Sequence, residues 1–222
     1  MLTIQVDEGH AVSAVLQVPE RAFACYVFAH GAGAGMTHPF MSAVADGLGA
    51  RGVATLRFQF PYMEAGSKRP DRPALAHATI RAAVECAGLL GLPLFAGGKS
   101  FGGRMTSQAQ AEAALPGVLG LVFFGFPLHP AKKPADERAA HLRDIRIPML
   151  FMQGDRDALA ETRLLVPMID RLPAGATLKL IAHADHAFHV PVRSGTTDGP
   201  VLDDLAGETA AWLRSVTPTL RP

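Results

Sequence analysis

After a short opening segment, apolar runs of four to seven residues recur along this chain, separated by stretches of helical spacing. Ala24 to Ala29, Val53 to Phe58, the run Pro93 to Ala96, Val118 to Phe124, Pro148 to Met152 and Thr177 to Ile181 read as strands. Such runs are too short and too uniformly apolar for anything but strands buried on both faces. Between them, Phe40 to Ala50, Ala74 to Leu90, Gly103 to Ala113, Leu159 to Leu172 and Val201 to Val216 read as helices. Arg51-Gly52 supplies a stop for the first of these. Leu2 to Val6 and Ala11 to Val18 alternate in polarity and read as an antiparallel hairpin turned at Glu8-Gly9-His10. Alternation of this kind predicts a doubly wound, mostly parallel sheet with helices on both faces. With 222 residues the chain fits one domain over residues 1–222, and the intervals between elements leave no room for a separate cap.

In sheets of this type, ligand-contacting residues collect in loops at the carboxyl ends of the strands. The unusual residues of this chain collect there too. Gly98-Lys99-Ser100-Phe101-Gly102 follows one strand and precedes a helix. A serine between glycines at that spacing suits a sharp, strained strand-to-helix turn that lifts its hydroxyl clear of the sheet, and resembles the nucleophile elbow of the α/β-hydrolase fold. Ser100 is the expected nucleophile. It needs a histidine to take its proton and a carboxylate to orient and stabilise that histidine.

The acid is expected after the Pro148 to Met152 strand, where both Asp155 and Asp157 stand. The separation of Asp157 from Gly154 favours Asp157, although either aspartate could cap a turn or helix. The histidine is expected after the last strand, where His183, His186 and His189 are all candidates. Their spacing is not that of zinc motifs, so no metal and no cofactor are expected. Backbone amides of Phe101 and of Ala32, in the glycine-rich loop His30 to Gly35, are the expected oxyanion donors. His30 itself reads as a structural hydrogen-bonding residue.

Six motifs in order then carry a family resemblance. They are His30-Gly-Ala-Gly-Ala34, Arg57-Phe-Gln-Phe-Pro-Tyr62, Gly97-Gly-Lys-Ser-Phe-Gly-Gly-Arg104, Gly125-Phe-Pro-Leu-His-Pro130, Gln153-Gly-Asp-Arg-Asp157 and Ala184-Asp-His-Ala-Phe188. Over nearly its whole length the chain resembles a small subgroup of the α/β-hydrolases near the dienelactone hydrolases, which includes eukaryotic relatives from a chromatin-acetylation complex. The resemblance implies a minimal hydrolase core without a cap and a triad of Ser100, Asp157 and His186. The family's Asp-His-(Ser or Ala)-Phe pattern is what selects His186. One departure is the nucleophile: dienelactone hydrolases use cysteine, and here a serine stands with no cysteine nearby.

The implied activity is hydrolysis of an ester or thioester of modest size, a small-molecule substrate; a catalytically silent scaffold is the alternative. Phe60, Tyr62, Met63, Phe101, Phe126, Leu128 and His129 are the expected lining of an apolar pocket. A phosphate-loop reading of Gly98-Lys99-Ser100 fails because Pro93 stands where the first glycine would be needed. A net charge of +1, with acids and bases interspersed, gives no electrostatic case for nucleic acid or an anionic membrane. Lys68, Arg69, Arg72, Lys132 and Lys133 read as solvated loop charges. Cys25 and Cys86 read as free thiols, and Met1 to Val6 lacks the pattern of a signal peptide. A soluble, cytoplasmic protein is the expectation, with its oligomeric state open.

Overall fold

The computed structural model describes residues 1–173 and 175–218. Strands β1 (Leu2–Asp7) and β2 (His10–Gln17) form the expected antiparallel hairpin, and β2 pairs antiparallel with β4 (Val53–Phe58). From there the sheet is parallel: β4, β3 (Ala24–Ala29), β5 (Leu94–Lys99), β6 (Val118–Phe124), β7 (Met149–Gly154) and β8 (Ala176–Ile181). The order β1-β2-β4-β3-β5-β6-β7-β8 is that of the α/β-hydrolase fold, with no separate cap domain among the described residues.

Every residue of β3, β4 and β7 is buried, which is why these strands read as largely apolar, Thr55, Arg57 and Gln153 excepted. The two-residue period of a strand sends neighbours to opposite faces. Tyr26 and Phe28 of β3 pack with α1 (Pro39–Gly49) and α6 (Asp198–Val216), whereas Cys25, Val27 and Ala29 pack on the other side. That other side is covered by the short α2 (Pro61–Glu64) and by α3 (Pro73–Gly88), α4 (Phe101–Glu112) and α5 (Thr162–Asp170). Two cores thus sandwich the sheet. The chain leaves β3 towards β4 on one flank and returns through β5 on the other, so the loops after β3 and β5 part company at their carboxyl ends. A crevice opens there, at the topological switch point.

Three helices differ in extent from the sequence expectation. The helix after Ser100 starts at Phe101 rather than Gly103, because the elbow itself turns directly into the first helical residue. α5 covers Thr162–Asp170 rather than Leu159 to Leu172, because the residues before it are taken up in the loop that presents Asp157. α6 begins at Asp198, three residues before Val201. A 3-10 helix, Glu137–Asp144, lies in a polar stretch without periodicity and was not anticipated. Cys25 and Cys86 are free thiols, with the Cys25 thiol pushed up to about 12 by burial. No helix among the described residues is long and apolar enough to cross a membrane.

Candidate active site

β5 ends at Lys99 and α4 begins at Phe101, leaving Ser100 alone at the turn with φ 49° and ψ −113°. A non-glycine residue is held in that sparsely populated region only when its surroundings over-determine it. Here the Ser100 amide donates to the Phe124 carbonyl at 3.0 Å, and the Ser100 carbonyl accepts from the Arg104 amide at 3.0 Å. The flanking glycines are needed for close approach. A Cβ at either Gly98 or Gly102 would overlap the Ala29 carbonyl oxygen at the end of β3.

Three loops converge on this turn. The loop after β8 brings the His186 Nε2 to 2.8 Å from the Ser100 Oγ. On the far side of the ring, His186 Nδ1 lies 2.7 Å from Asp157 Oδ2, in the loop after β7. An ionised carboxylate only accepts, so Nδ1 carries the proton and Nε2 is left to accept from the serine hydroxyl. Asp157 is held from three directions. Its Oδ1 accepts from the Leu159 amide at 2.7 Å, and its Oδ2 also accepts from the side-chain amide of Gln153. The Asp157 side chain is 0% exposed and that of His186 28%, so the carboxylate is enclosed while the imidazole faces the crevice.

The other sequence candidates lie elsewhere. Asp155 is exposed. His183 is exposed, and His189 pairs with Asp198 at 2.9 Å on the surface, which raises its pKa. Asp185 shapes the turn that carries His186: its Oδ1 accepts from the amides of Ala187 and His189 at 2.8 and 3.0 Å.

The glycine-rich loop after β3 lies beside Ser100, since a Cβ on Gly31 would sit 3.8 Å from that of Ser100. Neither the Ala32 nor the Phe101 amide donates to a protein acceptor among the described residues. The loop is fixed from behind. Gly33 donates its amide to Tyr62 Oη at 3.0 Å, and Met36 donates to Gln59 Oε1 at 2.8 Å. His30 is the central brace. Its ring accepts from the Phe60 amide through Nε2 at 3.1 Å, so Nδ1 is the protonated nitrogen and donates to the Gly31 carbonyl at 2.7 Å.

His30 is fully buried, and burial pulls its pKa down to about 4. Between the unfolded value near 6.5 and this folded value, the unfolded chain binds a proton that the folded chain refuses. Stability from this residue is therefore complete above about pH 6.5 and is lost as pH falls. Urea unfolding at pH 7.5 and pH 4.5 should show a loss of about 2.5 kcal/mol traceable to His30. His30→Gln should abolish most of that difference; equal acid sensitivity in the variant would contradict the assignment.

The expected pocket lining is corrected at several positions. Phe60, Phe126, Leu128 and His129 are fully buried. Phe60 packs edge-on to His30 and Phe101 at centroid distances of 5.0 and 5.3 Å. Phe126 packs against Phe123 and Phe151 at 5.4 and 5.8 Å. His129 is a second brace, donating from Nδ1 to the Pro130 carbonyl and accepting from the Glu161 amide. Tyr62 is buried behind the glycine-rich loop, and Met63 is half-buried beside it. The depression at Ser100 and His186 has a volume of about 220 Å³ and is walled instead by Ala32, Ala34, His38, Phe40, Met41 and Ala187. Phe40 and Met41 lie at the start of α1 and were not anticipated. Gln153 was missed as well, although a polar residue ending an otherwise apolar strand was the signal for it.

A family model described as an alpha/beta hydrolase domain matches residues 22–214. The chain belongs to this family. Solved structures share its fold across almost the whole of both chains. A dienelactone hydrolase from Anabaena variabilis is 21% identical with a TM-score of 0.79, covering 98% of this chain and 97% of that one. A serine hydrolase without a lid from Xanthomonas campestris is 20% identical with a TM-score of 0.75, covering 99% and 95%. Est1E from Butyrivibrio proteoclasticus is 17% identical with a TM-score of 0.72, covering 96% and 98%. Within this alpha/beta hydrolase family, the elbow serine, the acid after β7 and the histidine after β8 follow the chain order that the fold requires.

Proposed function

We propose that the protein is a serine hydrolase that cleaves an ester or thioester of modest size through an acyl-enzyme. The observation that carries this reading is the continuous hydrogen-bonded line from the Ser100 hydroxyl through His186 to the enclosed Asp157. In it, Ser100 Oγ attacks the substrate carbonyl while His186 Nε2 takes the hydroxyl proton. The carbonyl oxygen gains negative charge, and the amides of Ala32 and Phe101 are the donors placed to hold it. Collapse breaks the bond to the alcohol or thiol, which leaves with the proton from His186. Water then attacks the acyl-serine with the same imidazole as base, releasing the acid and restoring the hydroxyl. Asp157 keeps the ring in the productive tautomer and stabilises its cation throughout.

The small depression with mostly apolar walls favours short acyl groups. The dienelactone hydrolase and the serine hydrolase without a lid among the structural neighbours fit the same reaction class. Serine in place of cysteine argues for esters of ordinary reactivity over a dienelactone. The test is a series of p-nitrophenyl esters of rising chain length, with thioester and lactone controls. Acetyl to hexanoyl esters should be turned over best, and decanoyl or longer esters at least about ten-fold less well in kcat/KM. Preference for the longest chains would contradict the pocket assignment. Absence of turnover on every substrate would leave a fold used for binding alone.

A further inference from the structure

Lys99 is the one charged residue of β5, and it stands directly before the nucleophile. Its backbone belongs to the elbow, but its side chain serves another loop. The ammonium donates to the backbone carbonyl of His186 at 2.7 Å. It lies against the rings of Phe40 and Phe188, 5.7 and 5.5 Å from their centroids, and those rings stack on one another at 5.7 Å. The same ammonium and the imidazole of His186 share a wall. A Cβ on Gly125 would stand 2.9 Å from Lys99 Nζ and 3.4 Å from His186 Nδ1, and Gly125 has φ 63°.

We propose that Lys99 is a positioning residue of the hydrolase: its ammonium, bonded to the His186 carbonyl, clamps the loop that carries the imidazole. The proposal rests on the serine-hydrolase reading above and adds to it a fourth residue, which lines the depression beside Ser100 while its ammonium reaches the His186 loop. A lysine enclosed by two phenylalanines is an expensive device for a loop that a neutral side chain could also hold. Desolvation pulls its pKa down to about 8, against the opposing pull of the Asp157 and Asp185 carboxylates. The charged groups facing it are those two aspartates, on the loops after β7 and β8, together with His186. α1 presents only the Phe40 ring. The Lys99 ammonium therefore acts on the imidazole through the backbone that carries it. Its clamp on the backbone keeps the ring aimed at Ser100 Oγ.

The experiment follows p-nitrophenyl acetate hydrolysis in the full chain, in Lys99→Met and in Lys99→Arg. Lys99→Met should lower kcat about 10- to 100-fold and leave KM within about two-fold, while Lys99→Arg, which keeps a donor for the His186 carbonyl, should recover most of that loss. Methionine keeps the packing against Phe40 and Phe188, so a side chain that only fills space would lose little. A kcat for Lys99→Met within about two-fold of the parent, or a Lys99→Arg variant as slow as Lys99→Met, overturns the proposal. Where melting shows that Lys99→Met is unfolded, Lys99→Gln takes its place and is read by the same two outcomes. A parent protein inert to every ester instead sinks the hydrolase reading itself, a result visible before any variant is made.

Discussion

His186→Ala should lower kcat on the best p-nitrophenyl ester by about 10⁶-fold, to a residual rate sustained by the oxyanion donors and the pocket alone. No other imidazole among the described residues is bonded to Ser100, and His38, which also walls the depression, caps α1 through Nδ1. His183 and His189 are exposed, and His189 is engaged with Asp198. The Ser100 hydroxyl has His186 as its side-chain partner among the described residues. A serine hydroxyl without a base is a poor nucleophile at neutral pH. KM should move little, because the imidazole is one edge of a depression whose other walls stay in place. Steady-state kinetics with an unchanged circular dichroism spectrum checks this; a loss below about a hundred-fold would mean that another base serves Ser100.

Asp157→Asn should cost about 10⁴-fold in kcat with KM again near the parent value. The reason lies in the donors around the carboxylate. Oδ2 accepts from both His186 Nδ1 and Gln153, and Oδ1 accepts from the Leu159 amide. Asparagine supplies one oxygen where the site needs two. If its amide nitrogen faces Leu159, two donors meet in a buried place and the imidazolium loses its counter-charge. If that nitrogen faces His186, the ring is driven into the wrong tautomer. Either outcome disables the base. A loss of less than about ten-fold, with the fold intact by thermal melting, would show that the carboxylate does not work through His186.

The strands were legible because burial on both faces makes them short and largely apolar, with Thr55 and Arg57 of β4 and Gln153 of β7 the polar exceptions. Chain order located the candidate triad: once a serine stood at a strand-to-helix turn, the fold dictated where an acid and a base would have to follow. What separates Asp157 from Asp155 physically is enclosure, since one accepts from three donors and the other is exposed.

The pocket was not legible in the same way. Hydrophobicity marks Phe60, Phe126 and Leu128 as apolar loop residues, but it does not say whether such a side chain turns towards substrate or towards the core. They turn inward, beneath the rim. The residues that wall the depression, Phe40 and Met41, sit in a run that reads as ordinary helix core. Polar braces were hidden for the opposite reason. His30, His129 and Gln153 are buried and fully committed to backbone or carboxylate partners. Only the paired loops make sense of them, because an unpaired polar group at those places would be costly. Lys99 belongs with them: in sequence it is the variable residue of a glycine-serine motif, and in space it is attached to the histidine loop.

A fluorophosphonate reacts only with a serine whose hydroxyl is both reachable and activated by its base. Intact-mass spectrometry of the treated protein, followed by peptide mapping, should show one phosphonyl group per chain on Ser100, and none on Ser100→Ala or His186→Ala. A folded protein that takes up no label under conditions that saturate an active serine hydrolase, or one labelled at another serine, would contradict the proposed nucleophile.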